Sequence, residues 1–96
     1  MSEHYDRKGN PISMDEWATR LSQEKRIAET TLPDGKLVST VWLGLNHRFG
    51  EGPPLIFETM VFASKEDFAD LECERYTTEE EAIVGHQRIV EKWGKT

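Results

Sequence analysis

Cysteine is almost missing from this chain: Cys73 stands alone. Without a second thiol there is no intramolecular disulfide, and the pattern fits a reducing cytoplasm. No apolar run approaches the ~20 residues that a membrane span requires. The opening Met1-Ser2-Glu3-His4-Tyr5-Asp6 lacks the apolar core of a signal peptide, so no membrane partner is expected. Positive charge is also short, with 12 Lys and Arg against 18 Asp and Glu and a net charge of −6. Duplex nucleic acid recruits basic surfaces and is not an expected ligand. His4, His47 and His86 lie far apart with no cysteine at ligand spacing, so no metal site is expected. Neither a P-loop nor a dinucleotide fingerprint occurs, and no cofactor is implied.

What is present suits one small domain, residues 1–96. Such a chain buries only about 60 to 65% of its unfolded surface. Three Trp, four Phe and two Tyr supply the burial capacity. Residues 1–12 read as a turn segment, in which Asp6 accepts local backbone bonds, Gly9 supplies positive φ and Pro11 blocks continuation. Ser13 and Glu16 form a capping box for a helix over 13–23, with Met14, Trp17, Ala18 and Leu21 on one stripe. Antiparallel strands are predicted across 26–62, turning at Pro33-Asp34-Gly35. A short edge strand follows at 72–76. A second helix spans 78–93, capped by Thr78 and Glu81, with Ala82, His86, Ile89 and Trp93 at helical spacing and Ile83 and Val90 widening the stripe. The fold class is α+β: a three- to four-stranded antiparallel meander flanked by two amphipathic helices.

The strand parities carry a warning. Val38, Thr40 and Trp42 share one parity of the strand Lys36 to Leu45, while Leu37, Val41, Leu43 and Leu45 share the other. In the strand Leu55 to Phe62, Ile56, Glu58, Met60 and Phe62 alternate with Leu55, Phe57, Thr59 and Val61. Both faces carry large apolar groups, so two helices on one face leave the second needing cover. The expected open parity is that of Trp42. A homodimer through Thr40, Trp42, Ile56 and Met60 would supply the cover.

Candidate site residues fall in three groups. The 44–54 connection is long for a hairpin and holds Asn46, His47, Arg48, Phe49 and Gly50. Arg48 suits a carboxylate or phosphate, and the glycine amides suit close approach to an anion. Read structurally, the same loop is an elaborate turn. Glu58, mid-strand among apolar residues, needs a partner, with Arg48 and Arg75 at hand; paired with His47 it would resemble acid–base machinery. Glu66, Asp67, Asp70, Glu72 and Glu74, continued by Glu79, Glu80 and Glu81, form an acidic run. It is either a solvated edge or a surface for a basic protein. Trp42 is the expected stacking or interface residue, His86 a hydrogen-bonded core histidine, and Cys73 a small strand residue.

Long stretches of the chain resemble a known family. They are Tyr5-Asp6-Arg7 with Gly9-Asn10-Pro11-Ile12-Ser13-Met14, then Glu16-Trp17, the block from Val38 to Phe62, and Tyr76 with Thr78-Glu79-Glu80-Glu81-Ala82. The chain is similar there to small proteins encoded by tailed phages and prophages, a family with no assigned activity. The resemblance implies a phage setting in the host-cell cytoplasm and carries over no functional residue. In that setting the leading reading is a non-enzymatic accessory protein that binds and modulates a host or phage macromolecule, with a protein as the expected partner. The second is a binder of a small anionic, nucleotide-type ligand using the 44–54 loop with Trp42 stacking. An enzyme built on His47 and Glu58 comes third.

Overall fold

The computed structural model describes residues 3–48, 50–67 and 69–94. Ser13 opens the first helix, α1 (Met14–Glu24), and its hydroxyl accepts from the Glu16 amide at 3.1 Å. That bond satisfies one of the amides every helix start leaves free. Of the predicted stripe only Trp17 and Leu21 pack against the core, while Met14 stays exposed. The indole of Trp17 donates to the Leu43 carbonyl at 2.8 Å and pins the helix to the end of the sheet.

Four strands follow: β1 (Arg26–Thr31), β2 (Leu37–Trp42), β3 (Phe57–Phe62) and β4 (Asp70–Tyr76). They pair antiparallel, as expected of a meander, and the structure gives their order as β1-β2-β3-β4. β2 ends at Trp42 and β3 begins at Phe57, each shorter than expected, whereas β4 starts two residues earlier. Gly35, at φ +94°, makes the β1–β2 turn, with its amide donating to Leu32 at 2.9 Å. The last helix, α2 (Glu79–Gly94), begins with the reciprocal box. The Glu81 amide donates to the Thr78 hydroxyl at 3.1 Å, and the Thr78 amide donates to the Glu81 carboxylate at 3.0 Å.

Register decides what α2 covers. Val38, Thr40 and Trp42 stand opposite Val61, Thr59 and Phe57, and these stand opposite Glu72, Glu74 and Tyr76. α2 lies on this face and buries Ala82, Gly85, His86 and Ile89. Ile83 falls off that stripe and is exposed, against expectation.

The open parity is therefore the opposite of the one expected. Trp42 and Thr40 are each 0% exposed, and Ile56 is sealed with Trp42 in one cluster. Ser39, Val41, Glu58, Met60 and Phe62 occupy the other face, on which no helix is laid among the described residues. A dimer through Thr40, Trp42, Ile56 and Met60 is thereby corrected, because the first three are core. The physical reason is His86. Its imidazole sits on the buried stripe of α2 and needs a partner at each ring nitrogen, which Thr40 and Thr30 on this parity supply.

Those partners form a polar row through the interior. Tyr76 Oη lies 3.1 Å from Thr59 Oγ1, and Thr59 Oγ1 lies 2.5 Å from Thr40 Oγ1. Thr40 Oγ1 is 2.7 Å from His86 Nδ1, and Thr30 Oγ1 is 2.9 Å from His86 Nε2. One direction satisfies the whole row: Tyr76 donates to Thr59, Thr59 to Thr40, and Thr40 to Nδ1, while Nε2–H donates to Thr30. Neutral imidazole is required, and burial holds the His86 pKa below its usual 6.5.

Apolar clusters lie on either side of this row. Trp42, Ile56, Phe57, Tyr76 and Ala82 pack with Trp17 and Leu21 at one end. Leu32, Val38, Val61 and Ile89 pack with Val90 and Trp93 at the other. Among the described residues Trp42 Nε1 is buried without a hydrogen-bond partner.

The N-terminal segment closes the first cluster. The Asp6 carboxylate accepts from the amides of Lys8 and Asn10 at 2.9 and 2.8 Å, the expected turn. Arg7 then forks onto Glu79, with Nε and Nη2 each 2.8 Å from a carboxylate oxygen. That hydrogen-bonded guanidinium holds the Glu79 carboxyl below its ordinary range. Among the described residues no helix is long and apolar enough to cross a membrane.

Candidate functional site

The predicted site residues separate into three places. In the 44–54 connection, Asn46 Oδ1 accepts from the amides of Arg48 and Leu55 at 2.9 and 3.0 Å. Arg48 Nε donates to the Pro53 carbonyl at 2.5 Å, and its side chain lies against Gly52, where an added Cβ would come within 3.0 Å. The backbone amide of His47 donates to Leu55 at 3.0 Å. Asn46 and Arg48 thus tie the loop to itself, and Gly50 turns it at φ +83°. Phe49 lies outside the described residues. Trp42 is sealed and cannot stack on a ligand held by this loop.

Glu58 is 7% exposed on the face without a helix. Its register partner across β3 and β4 is Arg75, whose Nε donates at 3.0 Å. The Cys73 thiol lies 3.5 Å from the same carboxylate oxygen. Both partners come from β4, so Glu58 is engaged as half of a cross-strand ion pair and not by His47. Partial burial, and then the negative charge of Glu58, push the Cys73 thiol pKa up. A nucleophile needs the reverse.

Around Glu58 the uncovered face dips into a depression of about 200 Å³, lined by Lys25, Ser39, Val41, Leu43, Met60 and Phe62 with Glu58 itself. Apolar side chains make up most of this lining. The ion pair stands toward β4, and Lys25 at the junction of α1 and β1.

The acidic run does not form one surface. The amides of Glu66 and Asp67 both donate to Ser64 Oγ, at 3.3 and 3.1 Å, and Asp67 Oδ1 accepts from the Ala69 amide. Asp70 is exposed at the start of β4. Glu72 and Glu74 turn toward α2 instead. Glu72 accepts from the Trp93 indole at 2.6 Å and from Lys92 at 3.1 Å, which lower its carboxyl pKa in that order. Glu74 is ion-paired with Arg88. Two of the five residues thus brace α2 against β4.

Sequence reasoning missed a groove beside that brace, about 400 Å³ in volume, between β4 and α2. Its signals were a glycine inside a helix and Val84 off the apolar stripe. Among the described residues no group of His, Cys, Asp and Glu is arranged to hold a metal ion. Comparison of the chain with protein-family models, curated proteins and solved structures finds no match.

Proposed function

We propose that this chain is a non-enzymatic accessory protein, of the phage-encoded kind its resemblance implies, that binds and modulates a protein partner through the uncovered face of its sheet. The observation that carries the reading is the row of Val41, Leu43 and Met60 around the Glu58–Arg75 pair, across which no helix or strand is laid among the described residues. A contiguous apolar patch rimmed by charge is the usual mark of a protein contact. Two further features favour binding over turnover: Glu58 is engaged by Arg75, and burial pushes the Cys73 thiol pKa up, away from a nucleophile's range. The anionic-ligand reading draws less support, because its stacking residue Trp42 is sealed in the core and Arg48 Nε is turned back onto the Pro53 carbonyl.

A photo-crosslinking side chain at position 60 tests the reading in cells. One defined protein should become attached there, and far less at Glu16 on exposed α1. Val41→Lys places a charge in the contact and should weaken capture at least about tenfold, or ~1.4 kcal/mol, while far-ultraviolet dichroism stays unchanged. An adduct of twice the chain's own mass would replace the partner by a second copy. Equal labelling at positions 60 and 16 would defeat the proposal.

A further inference from the structure

The groove between β4 and α2 invites a different ligand from the open face. β4 ends the sheet, so its outer edge has no strand beside it among the described residues. The groove lies along this edge and is lined by Tyr76, Val84 and Gly85 with Glu74, Glu80, Glu81 and Arg88. Glu81, Val84 and Arg88 stand at i, i+3 and i+7, a second stripe of α2 turned toward β4. Gly85 explains the close fit. A Cβ there would collide with the Tyr76 ring and hydroxyl, so the helix backbone rests directly on the tyrosine. Val84, 68% exposed, forms an apolar wall above it.

We infer that this groove receives an extended, basic peptide segment, added to the sheet as a fifth strand beside β4. Strand addition satisfies the edge through main-chain hydrogen bonds and reads sequence through alternate side chains. Those side chains would enter beneath α2. The central one meets Tyr76, Val84 and Gly85, which calls for an aliphatic group. Its neighbours two residues away meet the charged rim, where three carboxylates stand against one guanidinium.

The three carboxylates are not equivalent. Glu74 is engaged by Arg88 and Glu81 by its own cap, whereas Glu80 is exposed and has no ion pair among the described residues. Lysine or arginine at the flanking positions complements that surplus. The same charge disfavours a second copy of β4 as occupant, since antiparallel self-pairing would bring the acidic residues of two edges together. This inference is independent of the open-face reading, because Val84 and Glu80 lie on α2 and Val41 and Met60 on the opposite side of the sheet.

The test is a nitrogen-15 NMR titration of the whole chain with the capped peptide Thr-Lys-Thr-Leu-Thr-Lys-Thr. Saturable shift changes should concentrate on residues 70–76 and 80–88, with new exchange protection of β4 amides. Replacing both peptide lysines by glutamate, or leucine by serine, should weaken binding at least tenfold. Val84→Arg, on an exposed position, should do the same with an unchanged melting temperature. No shift changes at millimolar peptide, changes centred on the open sheet face, or equal binding of the glutamate peptide would each overturn the inference.

Discussion

Replacing Gly44 by alanine should lower the unfolding free energy by about 3 kcal/mol, roughly 1 to 2 from forcing a side chain into the left-handed region and the rest from overpacking. Gly44 adopts φ +71°, and a Cβ at this point would lie 2.5 Å from Trp17 Nε1 and 2.8 Å from Trp42 Cζ2. Neither ring can retreat. The Trp17 indole is held by the Leu43 carbonyl, and Trp42 is enclosed on every side. The backbone is equally fixed, because Gly44 accepts from the Tyr5 amide at 2.8 Å. Gly35 provides the internal control. It has φ +94° but open space around it, so Gly35→Ala should cost only about 1 kcal/mol, the backbone part alone. Urea denaturation of the two variants separates the contributions. Equal losses would show that crowding against the two tryptophans contributes nothing.

The second large effect concerns acid. Because the folded chain holds the His86 pKa below its usual 6.5, the unfolded chain binds a proton there that the folded chain refuses. The contribution is complete above pH 6.5 and is lost as pH falls through the window below it. One such group gives a slope of at most ~1.4 kcal/mol per pH unit. Protonated imidazole would also donate from Nδ1, which adds a donor to the row and leaves one of its hydroxyl protons without an acceptor. The carboxyls of Glu72 and Glu79 lie below the ordinary glutamate range, so their contributions fade at lower pH. Denaturant melts from pH 8 to 5 should show the sag. His86→Asn should remove it while costing about 2 kcal/mol at pH 8 through lost volume and one broken hydrogen bond. A variant that sags like the parent would place the titration elsewhere.

Local features were legible in the sequence because each depends on neighbours a few residues away. Thr78 with Glu81, the Asp6 turn and the Pro33-Asp34-Gly35 hairpin all close within one turn of chain, and the structure shows each one; Ser13 caps the Glu16 amide as expected, while the Glu16 carboxylate pairs with Arg20. Strand alternation likewise exposed the two-faced sheet. What alternation cannot tell is which face the helix takes, since both parities of β2 are apolar. The deciding contacts, His86 to Thr40 and to Thr30, span 46 and 56 residues. The same distance hid the fate of the acidic run. Glu72 and Glu74 read as edge charges until α2 brings Lys92, Trp93 and Arg88 over them. In the candidate site, Arg75 as partner of Glu58 was among the readings. The disposal of Arg48 inside its own loop was not, because a carbonyl acceptor such as Pro53 leaves no mark in side-chain chemistry.

The hydroxyls beneath α2 also guard the alignment of the sheet. If β3 slid one residue along β2, Thr59 would leave the interior and either Glu58 or Met60 would take its place. A carboxylate would then be stranded against imidazole and aliphatic carbon, or a thioether would leave the Tyr76 hydroxyl without its acceptor and Thr40 with His86 alone. A meander greasy on both sides would otherwise tolerate such slippage. Here a mispaired sheet is penalised at its centre, on β2, β4 and the helix together, so the correct strand alignment is chosen by a polar mismatch that apolar side chains alone would never impose.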